Sequence, residues 1–135
     1  MASIRKEVLI EVPADQVWDA LRDVGALHTR LVAGFVTDCR LDGDARTVTF
    51  ANGLVARELI VDVNQGERRV VWSSVGGRLT HHNASAQVFD EGPGQSPVVW
   101  VADLLPNEMA PVIAAMIEQG TRAMKTTLER AAPAA

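Results

Sequence analysis

The chain has no tyrosine, and only six of its 135 residues are aromatic, three tryptophans and three phenylalanines. It has one cysteine, Cys39, which rules out an internal disulfide and suits a reducing cytoplasm. No apolar run reaches the length of a membrane-spanning helix. The opening Met1-Ala2-Ser3-Ile4-Arg5-Lys6-Glu7 is interrupted by polar residues too early for a signal peptide. Basic residues are also scarce: 13 Lys and Arg against 17 Asp and Glu leave a formal net charge of −4. That balance argues against nucleic acid, whose phosphates require a clustered Lys/Arg footprint. Three histidines (His28, His81, His82) and one cysteine do not form a spaced metal-ligand set, and adjacent His81 and His82 point to opposite faces of a strand. There is no phosphate-cradling glycine loop, no nucleophile elbow and no internal repeat, so neither a metal nor a cofactor is expected. What remains is a globular composition, 47% apolar and 22% charged. Its length suits a single domain over residues 1–135, with a radius of gyration of about 14 Å.

Patterning then divides the chain. Val8-Leu9-Ile10-Glu11-Val12 reads as a strand stopped by Pro13. Val17, Trp18, Leu21 and Val24 recur at helical spacing up to Gly25, and a second short helical piece is expected over 26–31. From Phe35 to about Leu104 the text turns to short β-rich runs. Turn signals separate them at Asp42-Gly43-Asp44, Asn52-Gly53, Asn64-Gln65-Gly66, Gly76-Gly77 and Glu91-Gly92-Pro93-Gly94. This spacing predicts an antiparallel meander, because parallel strands would need crossovers for which there is no room. After Pro106, the residues Met109, Ile113, Met116, Ile117, Gly120, Met124 and Leu128 share one helical face. Pro111 is tolerated only in a first turn, so the helix starts near Glu108 to Ala110 and runs to about Arg130. At 1.5 Å per residue it spans roughly 33 Å, enough to cross the domain. The expected class is α+β, a curved antiparallel sheet against a terminal helix. The alanine-rich tail from Ala131 to Ala135 carries no further signal.

The segment from Glu11 through Val17-Trp18 to Asp23 resembles the start of the SRPBCC superfamily, the START and polyketide-cyclase-like proteins. Val75-Gly76-Gly77-Arg78-Leu79 and His82-Asn83-Ala84-Ser85 are similar to that group's central strands. Asn52-Gly53-Leu54-Val55-Ala56 and Gly77-Arg78-Leu79 resemble the pocket-closing loops of the plant abscisic acid receptors, which share the fold of the birch pollen allergen. The resemblance covers essentially the whole chain. It implies a helix-grip fold, in which seven antiparallel strands wrap a long C-terminal helix around a deep apolar cavity. Three departures argue against abscisic acid itself as ligand. Thr37 stands where the receptors carry a ligand-binding lysine, Val55 replaces the proline of the gate loop, and His82 replaces a central tyrosine.

Within such a cavity the strand from Leu79 to Phe89 carries His82, Ala84, Ala86 and Val88 on one face. The apolar company turns that face inward, making His82 the leading polar contact, and the acid/base candidate if the protein is an enzyme. Ala84, and Gly120 on the helix, leave space for a ligand unless Trp72 and Trp100 fill it. Simple alternation places Arg57 inward with Leu59, Val61 and Val63, where it would grip a ligand carboxylate. The resemblance, ambiguous by one residue here, can instead turn Glu58 inward as an acid or base, and a one-residue slip admits only one of the two. Trp18 is read as core. Trp72 and Trp100 are read as either core or pocket wall, and Met109, Met116 and Met124 as core or an adaptable wall. Cys39 is read as a small buried residue. The ligand-binding set is therefore Phe35, Thr37, Leu54, Arg57, Trp72, Leu79, His82, Ala84, Trp100, Ile113, Ile117, Gly120 and Met124.

Three functions are compatible with these residues. The first is binding of a small hydrophobic or amphipathic molecule, such as a lipid, polyketide or aromatic metabolite. The second is an aromatase/cyclase-type enzyme, disfavoured because only one or two polar groups can be placed in the pocket. The third is a stress- or chaperone-related interaction module acting through its surface. Under any of them the protein is expected to be a cytoplasmic monomer or homodimer that does not insert into membranes.

Overall fold

The computed structural model describes residues 1–132. The last three positions of the expected domain and of its alanine-rich tail lie outside the described residues. Seven strands and two helices follow one another in the predicted order: β1 (Ala2–Ile10), α1 (Ala14–Leu21), β2 (Val36–Asp42), β3 (Ala45–Phe50), β4 (Val55–Asn64), β5 (Arg69–Val75), β6 (His81–Val88), β7 (Ser96–Leu105) and α2 (Ala110–Ala131). All strand neighbours pair antiparallel, in the spatial order β1-β7-β6-β5-β4-β3-β2. This is the expected α+β helix-grip arrangement. Among the described residues no helix is long and apolar enough to cross a membrane.

Local chemistry explains most boundaries. Pro13 cannot continue β1, and its carbonyl accepts the N–H groups of Gln16 and Val17 to open α1. Val17, Trp18 and Leu21 of that helix are buried, and Trp18 donates from Nε1 to Gln65 at 2.8 Å. The second helical piece forms over Leu27–Leu31 as a single π-helical turn. Each predicted turn lies between two strands. The tightest has Gly43 at φ 59° between the paired Asp42 and Ala45, a left-handed conformation that two-residue hairpins need and glycine adopts freely. Pro111 sits in the first turn of α2, which follows a 3₁₀ turn at Asn107–Met109.

β1 begins at Ala2, six residues before the strand read from composition. Its half-buried positions alternate through charged residues, which hides the pattern in the sequence. Lys6 is one of them, and it reaches Glu118 of α2 at 2.6 Å. Lys125 donates to the Leu9 carbonyl and Glu129 accepts from Glu11 N–H, so three polar ties hold α2 along this edge of the sheet. Beneath them Ile117, Met124 and Leu128 are buried in the main core with Ile10, Val17, Val70 and Val98. Each such side chain contributes about 1.5–3 kcal/mol through burial.

Two β-bulges interrupt the register of the sheet. In β2 the register shifts between Val36 and Asp38, leaving Thr37 unpaired. In β4 it shifts between Ile60 and Asp62. Leu59, Val61 and Val63, the residues that suggested an inward face, are 40%, 57% and 44% exposed. Ala56, Glu58 and Ile60 point inward instead.

Candidate functional site

A cavity of ≈ 300 Å³ lies between the concave sheet and α2. Nine of the thirteen anticipated residues line it: Phe35, Leu54, Trp72, Leu79, His82, Trp100, Ile113, Ile117 and Met124. Leu27, Leu31, Val48, Phe50, Met109 and Met116 add further apolar wall. Two aromatic pairs brace it edge to face, Phe35 with Phe50 at 5.3 Å and Trp72 with Trp100 at 5.8 Å between centroids. The entrance is framed by Leu54 from the β3–β4 loop, Val55 at the start of β4, Gly76 to Leu79 from the β5–β6 loop, and Val112 of α2.

Four expected positions lie elsewhere. Thr37 is exposed, because the β2 bulge turns it outward, where its hydroxyl donates to the Thr49 carbonyl. Arg57 is also outside and faces Asp42 at 3.4 Å; the parity that pointed it inward belongs to the exposed face of β4. Ala84 is buried but does not border the cavity. It pairs with Trp72 on one side and Ala102 on the other, so its small side chain makes room for the tryptophan. Gly120 plays the same part on the helix: a Cβ there would meet Cζ3 of Trp100 at 2.7 Å and Cε2 of Phe35 at 3.3 Å. The gaps at Ala84 and Gly120 are seats for indole rings, and the open volume lies beside them.

Apart from the exposed Arg78 in the β5–β6 loop, the polar part of the wall is one continuous row. Arg46 on β3 pairs with Glu58 on β4, and Glu58 pairs with Ser74 on β5. The Ser74 N–H donates to Nδ1 of His82 on β6 at 2.9 Å. Arg46, Glu58, Ser74 and His82 thus cross four adjacent strands, and all four border the cavity. Arg46 and Glu58 are only 3% and 8% exposed. Arg46 donates from Nε to Glu58 at 2.8 Å and from Nη1 to the Val24 carbonyl at 3.1 Å. Its guanidinium also lies 5.5 Å from the centre of the Trp72 ring. Burying two charges is expensive unless they meet each other with good geometry, and these contacts supply it.

His82 is held by backbone. Because Nδ1 accepts a hydrogen bond, the neutral ring carries its proton on Nε2. Burial holds its pKa below the ordinary histidine value, and neighbouring His81 pushes in the same direction. Burial likewise raises the pKa of Cys39, which sits at the foot of this region with Sγ 3.7 Å from the Val24 carbonyl.

Reading the residues alone misses Arg46. Its one available signal is that it shares parity with Val48 and Phe50 on β3 and stands opposite an acidic residue on the next strand.

Solved structures with this fold are numerous. An uncharacterised protein of Bacillus thuringiensis superposes with a TM-score of 0.84 at 19% identity, over 94% of this chain and 98% of that one. A START superfamily protein of Mycobacterium smegmatis gives 0.76 at 11% identity over 95% and 97%. Norcoclaurine synthase of Thalictrum flavum, in complex with dopamine and hydroxybenzaldehyde, gives 0.73 at 16% over 98% and 89%. No curated protein sequence matches the chain significantly. At these identities the superpositions establish the fold alone. The profile of the family described as polyketide cyclase / dehydrase and lipid transport matches residues 1–129, and the chain belongs to that family.

Proposed function

We propose that the protein binds a small hydrophobic or amphipathic molecule in the cavity between sheet and helix. The observation that carries this reading is a ≈ 300 Å³ space whose wall is mostly apolar, with one short polar row and the exposed Arg78 of the β5–β6 loop as its polar members. Ligand sites of this kind draw most of their affinity from apolar burial, at about 25 cal/mol per Å², and their orientation from a few polar groups. A family described by both cyclase/dehydrase chemistry and lipid transport is consistent with it. The loops at Leu54 and at 76–79 would gate entry. In this reading the protein is a cytoplasmic monomer or homodimer that needs neither cofactor nor nucleic acid.

Native mass spectrometry of freshly purified protein, with the denatured spectrum as control, tests the proposal. Excess mass that disappears on denaturation supports a loaded cavity. A clean apo mass, together with no uptake of added hydrophobic probes, overturns it.

An enzymatic reading has one observation in its favour: Glu58 and His82 stand on the same wall, so a carboxylate and an imidazole both face the space where a substrate would sit. Turnover of a poly-β-ketone analogue, lost in both Glu58→Gln and His82→Asn, would promote it over simple binding.

A further inference from the structure

We propose that the polar row selects the headgroup of the ligand: it takes a neutral hydroxyl-bearing molecule, a phenol or an alcohol, and rejects a carboxylate of the same shape. The inference rests on the binding reading above and adds to it the chemical class of the ligand's polar end.

The argument starts from charge. An isolated arginine in an apolar wall would attract an anion, and a bidentate carboxylate would be its natural partner. Arg46 is not isolated. Its Nε is engaged by Glu58 at 2.8 Å and its Nη1 by the Val24 carbonyl at 3.1 Å, so its charge is already matched inside the wall. A carboxylate entering at the row would bring a second negative charge beside the buried Glu58, with one buried guanidinium for two anions; the other lining guanidinium, Arg78, is exposed in the β5–β6 loop, where water screens it. The cost of an unmatched buried charge then falls on the complex.

The free valences point the same way. Arg46 Nη2, Glu58 Oε2 and His82 Nε2 have no hydrogen-bond partner in the protein, although their residues are buried or nearly so. The one fully enclosed side-chain polar atom without a partner among the described residues is Nδ1 of His28. The three free atoms therefore reach open space: all three residues line the cavity, and His82 also borders a second pocket with Ser73, Thr80 and Asn83. They offer one acceptor, Oε2, between two donors, Nη2 and Nε2–H. A hydroxyl group has one proton to give and two lone pairs to receive, which matches that set. A carboxylate has nothing to donate to Oε2, and an ammonium has nothing to accept from Nη2 or Nε2–H. Trp72 and Trp100 beside the row give the attached apolar body a rigid aromatic surface.

The test compares 2-naphthol, 2-naphthoate and 2-methylnaphthalene, three probes of nearly equal size, by equilibrium dialysis at pH 7.5. A phenolic hydroxyl titrates at about 10, so naphthol is neutral there while naphthoate is charged. The expected result is that naphthol binds at least tenfold tighter than naphthoate and clearly tighter than methylnaphthalene. In Glu58→Gln the guanidinium loses its internal partner, so naphthoate should gain at least tenfold and naphthol should weaken. Naphthoate binding the wild-type protein as well as naphthol, or methylnaphthalene matching naphthol, overturns the headgroup proposal and leaves the cavity reading standing. If none of the three binds, the cavity reading falls and the headgroup proposal falls with it. The wild-type comparison decides the matter even if the variant does not fold.

Discussion

Trp100 and Gly120 are fitted to each other across the sheet–helix interface: a methyl group added to the glycine would come within 2.7 Å of the indole. Glycine in mid-helix costs about 1 kcal/mol relative to alanine, so its presence there requires a reason, and the ring supplies one.

Gly120→Ala should therefore gain helix propensity and lose more in packing. Overpacking costs about 1–3 kcal/mol, and the indole can yield only toward Trp72 or into the cavity. We expect a net loss of about 1 kcal/mol, a drop in Tm of a few degrees, and weaker probe binding because the ring takes ligand space. Thermal denaturation and dialysis check the two effects separately. A variant more stable than wild type would show that the contact relaxes freely.

Two ways of reducing open volume should behave differently. Ala84→Trp places a second indole against Trp72, away from the cavity, and should destabilise by about 3 kcal/mol or more. Ala56→Leu adds volume at a half-buried position that does border the cavity. It should change stability by less than about 1 kcal/mol while weakening ligand uptake. Denaturant titrations of the two proteins, with ligand mass measured on each, make the comparison.

The ion pair between Arg46 and Glu58 should show strong coupling. Arg46→Met strands a buried carboxylate and should cost about 3 kcal/mol or more, whereas the double variant Arg46→Met/Glu58→Leu should recover most of that loss. A double-mutant cycle by urea denaturation measures the coupling. Additive losses would mean that water in the cavity already screens the pair.

His82 should make the stability sensitive to mild acid. Its folded-state pKa lies below the ordinary value, so the unfolded chain takes up a proton at a pH where the native protein does not. Stability should therefore fall as pH drops below about 6.5, until the native ring also titrates. His82→Asn keeps an acceptor for the Ser74 N–H and removes the titration, so its stability profile should be flatter across that window. Denaturant midpoints at several pH values test this, and parallel profiles for the two proteins would reject it.

Much of the architecture is legible in the residues. The five turns are marked by Gly, Asn and Asp, and the face of α2 is set by a 3.6-residue period that Pro111 brackets at its start. The inward face of β6 is equally plain, because a lone histidine sits among small apolar residues. The site is harder to read, for a physical reason. A bulge adds one residue without any compositional mark, and the one in β2 leaves Thr37 outward between the buried Val36 and Cys39. Arg57 shares an outward face of β4 with Leu59, Val61 and Val63, an exposed apolar stripe that composition cannot tell from a buried one, and the burial of Arg46 depends on a partner twelve positions away on the next strand. Strand parity is a local property; the matching of two charges across strands is not.

Gly76 and Gly77, at φ 84° and 65°, hold the β5–β6 loop over the entrance, and a Cβ on either would meet nothing within 4 Å. The room is there, but the handedness of ordinary residues is wrong for it. A D-alanine at either position has the mirror-image preference and fits both the dihedral and the space. It would narrow the conformations open to this loop without touching the wall. If the cavity binds a ligand as proposed, its exchange should then slow while the equilibrium affinity holds, which ties residence time to the chirality of two backbone positions.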